Sequence, residues 1–153
     1  MRIGTRIAVD VGDVRVGVAR CDTAGILATP VATYRRERDD FSSVIELVRE
    51  ADALEVIVGL PRNMDGSEGK SAKNARRWAK RLARRIAPVH VRMVDERLTT
   101  VSAHQMLHES GRKEINHRSV VDQVAAVIIL ESALAQERTT GMPPGELVEL
   151  QEK

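Results

Sequence analysis

The strongest constraint on the fold is the order in which hydrophobic periodicity changes along the chain. Residues 3–11 form a short apolar run rich in β-branched side chains, the pattern of a buried strand. Gly12-Asp13 is a turn signal. Residues 14–21 then alternate, with Val14, Val16 and Val18 set against Arg15, Gly17 and Ala19. Two such runs around a Gly-Asp turn predict a hairpin. A third strand is expected over 26–34, after the turn at Thr23 to Gly25, and Pro30 within it points to an edge or a bulge.

Helical spacing begins only after these strands. Phe41, Val44, Ile45, Val48 and Ala51 make one apolar stripe, in a helix that Asp39 or Asp40 would cap and that runs to about Ala53. Residues 55–60 read as a short buried strand ended by Pro61, and 61–69 as a polar, flexible, glycine-rich loop. A second helix is expected over 70–86, with Ala75, Trp78, Ala79, Leu82 and Ile86 facing the core, and a strand over 89–94. Thr99 or Thr100 would cap a short helix that Gly111 ends. Ser119 would cap a long helix over about 120–136, apolar around most of its surface and so buried on more than one side. Three strands followed by α, β, α, β, α, α predict an α/β domain. Its mixed five-stranded sheet has three antiparallel strands, then parallel ones, with helices on both faces. Residues 1–138 make that single domain, and 139–153, with Gly141, Pro143, Pro144 and Gly145, a flexible tail.

The apolar residues never reach the run of about 18 that a membrane span needs, so no membrane partner is expected. The N-terminal apolar stretch is broken at Asp10 and lacks a small-residue cleavage site, which argues against a signal peptide and for the cytoplasm. The single Cys21 cannot form an internal disulfide. Net charge is only +2, but its distribution is uneven. Lys70, Lys73, Arg76, Arg77, Lys80, Arg81, Arg84 and Arg85 follow one another with no acid among them, which suggests an anionic partner.

Three acids stand where charge is unexpected. Asp10 ends the first strand inside an apolar segment, a costly place unless the charge is paired or binds a metal; a turn residue bonding across Gly12 is the alternative. Asp95-Glu96-Arg97 follows the strand ending at Val94, where α/β sheets place ligands, although a surface acid–arginine pair would look the same. Asp122 lies three residues after Ser119, a spacing that also describes a capping box. Taken together, these oxygen ligands suit Mg²⁺ or Mn²⁺. His90, His104, His108 and His117 are scattered, and no Cys or His spacing suggests zinc.

Four segments carry a resemblance. They are Asp10-Val-Gly12-Asp13-Val-Arg15-Val-Gly17-Val-Ala19, Val58-Gly59-Leu60-Pro61-Arg62-Asn63-Met64-Asp65-Gly66-Ser67, Asp95-Glu96-Arg97-Leu98-Thr99-Thr100 and Val121-Asp122-Gln123-Val124-Ala125-Ala126. In order and spacing they resemble the signature blocks of the YqgF family, also called RuvX, over residues 7–134. That family resembles the RuvC Holliday-junction resolvases of the ribonuclease H-like superfamily. The resemblance implies a ribonuclease H-like fold and a nuclease that matures the 5′ end of pre-16S ribosomal RNA. Some members are described instead as junction resolvases. It also implies that Asp10, Glu96 and Asp122 are the catalytic, metal-binding acids. RuvC-type sites carry a further acid or His one helical turn before the last Asp. Here that position is Ser119, so a full two-metal site would need ligands from Asp95, Asp13 or substrate phosphate.

The expected chemistry is metal-assisted phosphodiester hydrolysis, with Asp10 between two ions and Glu96 and Asp122 each holding one side. Arg15 and Arg97 are candidate phosphate contacts, and Asn63, Asp65 and Ser67 of the 61–69 loop could close over the backbone. Lys73, Arg77, Lys80 and Arg84 would supply nucleic-acid affinity from the basic helix. With Tyr34, Phe41 and Trp78 the only aromatic residues, shape and phosphate are better targets than stacking, as in structured RNA or branched DNA. The protein is expected as a monomer or homodimer, and junction resolution would require the dimer. Three rivals remain. Gly69-Lys70-Ser71 suggests a P-loop, but Met64 stands where that pattern needs glycine. An actin-like nucleotide-binding protein would need a second lobe. An inactive nucleic-acid-binding module would have no use for the acids.

Overall fold

The computed structural model describes residues 1–36, 41–97 and 117–150, with the side chains of 117–119 outside that description. The expected capping residues Asp39 and Asp40 lie outside the described residues, as does the short helix expected from Thr99 or Thr100 to Gly111, with His104 and His108. The elements are β1 (Arg6–Val11), β2 (Arg15–Cys21), β3 (Ala28–Arg35), α1 (Ser42–Ala51), β4 (Glu55–Leu60), α2 (Lys70–Ile86), β5 (His90–Asp95), α3 (His117–Thr140) and β6 (Glu146–Leu147). They form one mixed sheet in the order β3-β2-β1-β4-β5-β6. β1–β2 and β2–β3 are antiparallel, and β1–β4 and β4–β5 are parallel. The predicted fold class holds, and the described residues form six strands in place of the five expected.

The sixth strand comes from the segment expected as a tail. β6 pairs antiparallel with β5, and the Val148 N–H donates to the Val91 carbonyl at 2.9 Å. Two residues are too few to produce a readable period. Pro30 behaves as expected. β3 is an edge strand, and the register slips opposite Val18 and Ala19, which pair with Ala32 and Pro30 and leave Val31 as the extra residue.

Two helix ends differ from expectation. α1 stops at Ala51, two residues early, because Asp52 turns into the left-handed region at φ 49°. α3 begins at His117, so Ser119 lies inside its first turn and is not the cap. A serine costs a helix little, so the cap-like spacing did not mark the true start. At the other end α3 runs to Thr140, where Gly141 takes a positive φ of 73° and its N–H bonds the Glu137 carbonyl at 2.8 Å.

The alternation of the strands divides the core. Ile7, Val9, Val16, Val18, Val56, Val58, Val91 and Met93 face α1 and α2, where Phe41 meets Trp78 edge-on at 5.2 Å. Ala8, Ala19, Cys21, Ile57 and Val94 face Ala126, Ile129, Leu130, Ala133 and Leu134 of α3. On that second face each central strand passes from charge through an apolar middle to the candidate site. β1 reads Arg6, Ala8, Asp10; β4 reads Glu55, Ile57, Gly59; β5 reads Arg92 and Val94 and is followed by Glu96.

The charged end is a buried ion cluster. Arg6 is 1% exposed, Glu55 1% and Glu137 3%. Arg2 bridges Glu55 and Glu137, each at 2.8 Å; Arg6 reaches Glu137 at 3.2 Å and Arg92 reaches Glu55 at 3.1 Å. This cluster fastens the N-terminal segment and the far half of α3 to the sheet. No helix among the described residues is long and apolar enough to cross a membrane.

Candidate active site

The opposite end of the α3 face holds all three predicted acids. Asp10 comes up from β1, Glu96 from the residue after β5, and Asp122 from the second turn of α3. Two glycines make this convergence possible. A Cβ on Gly59 would fall on the Glu96 carboxylate and within 2.6 Å of Ile129 Cδ1. A Cβ on Gly17 would strike the Asp122 backbone. Gly17 therefore lets α3 press its Asp122 turn onto β2, and Gly59 leaves the space into which Glu96 folds. Both glycines fall in strand-like stretches of the sequence, where a glycine signals close backbone approach, but spacing alone does not say what approaches.

Burial sets the charge state. Glu96 is 8% exposed. Its carboxyl donates a hydrogen bond to Asp10, so the pair shares a proton. Desolvation and then the negative charge of Asp122 push Asp10 up to about 7. Desolvation and then the charges of Asp10 and Asp95 push Glu96 up to about 8. Two buried carboxyls that hold a proton between them are poised to exchange it for a cation. Asp122 is more open, and its Oδ2 accepts from Arg15 Nε at 3.2 Å. Among the described residues no three His, Cys, Asp or Glu side chains already sit as a closed set of cation ligands. Asp10 and Glu96 are turned to each other, and Asp122 to Arg15.

The candidate phosphate contacts divide. Arg15 is in the site, on Asp122. Arg97 is at its rim, where Asp95 holds it through Nη2 at 2.8 Å and through the backbone N–H at 3.0 Å. Asp95 itself occupies the alternate side of its strand from Glu96. Arg97 also donates to the Met64 carbonyl at 3.3 Å, tying the 61–69 loop to the end of β5. That loop is internally bonded. Asp65 Oδ1 accepts from the Ser67 N–H and hydroxyl at 2.9 and 2.6 Å, and Asn63 Nδ2 reaches Ser67 Oγ at 2.9 Å. Asn63, Asp65 and Ser67 thus spend polar groups on one another.

The basic helix is not brought to the acids. α2 packs on the opposite face of the sheet, against the cluster that contains Trp78. Lys73, Arg77, Lys80 and Arg84 are exposed along its outer side, while Arg76 is drawn off by Glu68 at 2.7 Å and Glu146 at 3.0 Å. Only its start, Lys70, follows the loop that leaves the acidic end of the sheet.

The family model described as "RuvX: Holliday junction resolvase" matches residues 4–136. The chain belongs to the RuvX family. A relative from Nocardioides sp. is 53% identical over 97% of this chain and 99% of its own length, and carries the name "Putative pre-16S rRNA nuclease". One of the same name from Streptomyces coelicolor is 54% identical over 98% of this chain and 91% of its own length. In fold, this RuvX chain is similar to Thermus thermophilus RuvC. One structure of that protein superposes with TM-score 0.55 at 13% identity, covering 92% of this chain and 98% of the other. A second, of RuvC in complex with a Holliday junction substrate, gives 0.53 at 16% identity over 92% and 99%. These likenesses establish a RuvC-like, ribonuclease H-like fold for the RuvX chain.

Proposed function

We propose that this RuvX protein is a divalent-cation-dependent nuclease that works in 5′-end maturation of pre-16S rRNA. The observation that carries the proposal is the buried, proton-sharing pair of Asp10 and Glu96 at the strand ends, with Asp122 beside it. The names of relatives more than half identical over nearly the whole chain supply the substrate class.

Asp10, Glu96 and Asp122 are the residues that would hold the cation. An all-carboxylate set suits Mg²⁺ or Mn²⁺ over zinc, and two buried acids that repel each other when both are charged gain from a cation between them, as they gain from a proton. When bound, such an ion supplies Lewis acidity that activates water and offsets charge on the phosphodiester. The protein's own part is positional. Gly59 and Ile129 confine Glu96, Gly17 sets the height of Asp122, and the apolar layer of Ala8, Ile57 and Val94 closes the floor against water. Arg15, on Asp122, and Arg97, at the rim, would receive phosphate oxygens. Lys73, Arg77, Lys80 and Arg84 would bind backbone on the far face, so a substrate reaching both surfaces has to pass around the acidic edge of the sheet. That suits a structured RNA better than a short single strand.

Cleavage of a pre-16S rRNA fragment and of a four-way DNA junction, each with Mg²⁺ or Mn²⁺, tests the proposal. Wild type is expected to cut the RNA and Asp10→Asn to lose at least a hundredfold. Preference for the junction would move the chain to the activity that names its family model. Equal cutting by wild type and Asp10→Asn would remove the basis of the nuclease reading.

A further inference from the structure

Asp122 is the acid whose orientation is least fixed by burial. Its side chain is 19% exposed, and its carboxylate is engaged by Arg15, which is 28% exposed. Asp10 and Glu96 turn inward to each other. Arg15 begins β2, just past the Gly12-Asp13 turn, and lies across from Arg35 in the β2–β3 register, so both positions share the α3 face of the sheet. Arg15 is thus the guanidinium that touches the candidate site, and Arg35 is its cross-strand neighbour. A guanidinium bonds phosphate oxygens in the same fork geometry that it uses for a carboxylate.

We propose that Arg15 is a positioning residue that acts through Asp122. Before nucleic acid binds, Arg15 holds the Asp122 carboxylate; an arriving phosphodiester takes over the guanidinium, and Asp122 is released toward Asp10 and Glu96. Cation and nucleic acid then bind cooperatively, because each relieves the ion pair that opposes the other. The ion is drawn fully into the site only when a substrate phosphate is present. This inference rests on the three acids being the cation site.

The test measures Mn²⁺ affinity directly, by titration of free Mn²⁺, on the full chain with and without a cleavage-resistant 2′-O-methyl RNA duplex. Wild type is expected to bind Mn²⁺ more tightly when the duplex is present. Arg15→Gln is expected to bind Mn²⁺ roughly tenfold more tightly than wild type in the absence of RNA, the scale of one charge-assisted hydrogen bond. It should also show a smaller further gain from the duplex. In an Asp122→Asn background the substitution of Arg15 should change Mn²⁺ affinity by less than twofold. Unchanged or weaker Mn²⁺ binding by Arg15→Gln overturns the proposal. So does an equal gain in the Asp122→Asn background, which would make Arg15 only a nearby charge. If wild type binds no Mn²⁺ under either condition while Asp10→Asn behaves the same, the cation site itself is refuted, a different failure from that of the latch.

Discussion

The shared proton of Asp10 and Glu96 makes a thermodynamic demand. In an unfolded chain these groups titrate near 3.8 and 4.5; in the folded protein they are raised to about 7 and about 8. Between those limits the native state holds more protons than the unfolded state. The folded protein without a cation must therefore lose stability as pH rises. Counting only the one proton held between the two carboxyls, the least excess these values allow, the slope is at least about 1.4 kcal/mol per pH unit, or about 2 kcal/mol from pH 5.5 to pH 7. For a chain of this size that is a fall of roughly 4–8 °C in Tm. The measurement is urea or thermal unfolding in chelator across that range, with Asp10→Asn/Glu96→Gln as reference, since that variant keeps the volume and removes both titrations. Saturating Mg²⁺ should reverse the trend, because it binds the deprotonated native site. The reasoning fails if the stability of wild type minus that of the double variant stays flat, or rises with pH, when chelator is present.

If Glu96 serves the reaction as proposed, Gly59→Ala should lower cleavage by up to about a hundredfold, the loss that a misplacement of about 1 Å can cause, and cost about 1–3 kcal/mol from overpacking against Ile129. Wild-type Mn²⁺ affinity in that variant would show that Glu96 has another place to go. Glu137→Ala should cost about 3–5 kcal/mol in denaturant unfolding, because it leaves the guanidinium of Arg6 buried beside Arg2 without its carboxylate. A loss below about 1 kcal/mol would mean that the cluster is idle. Replacing Lys73, Arg77, Lys80 and Arg84 together by Gln should flatten the dependence of RNA affinity on salt, by about 0.7–0.9 in log–log slope for each phosphate no longer neutralised. An unchanged slope would detach α2 from substrate binding.

Much of this was legible from periodicity. α2 and β4 match their expected limits, and β1–β3 emerge from alternation and one Gly-Asp turn, because side-chain burial enforces a period of two or 3.6. Asp10 was readable for the same reason, as a charge interrupting an apolar strand. The rest required tertiary neighbours that have no local signature. Arg6 and Asp10 share one face of β1, yet only the fold reveals that Glu137 neutralises the first while Glu96 shares a proton with the second. Ser119 misled because a cap and an ordinary helical serine present the same residue. The 61–69 loop was expected to offer Asn63, Asp65 and Ser67 to a nucleic-acid backbone, since nothing in the sequence states that Asp65 would be spent on Ser67. Placement of the basic stripe opposite the acids depends on which way α2 crosses the sheet, a property of topology rather than of composition.

α3 joins the two ends of its face, with the ion cluster at Glu137 and the acidic site at Asp122. The partners it brings together are distant in the chain, with Arg2 and Glu137 separated by 135 residues. Closing the clamp and assembling the acidic site therefore both depend on the docking of this one helix, whose contacts close long loops of chain. A state in which α3 has come away while α1 and α2 remain on the other face would keep the basic surface and lose the acids' geometry. Such a species would bind RNA without cutting it, so a partly unfolded population would act as a competitor of the native enzyme instead of a mere loss of activity.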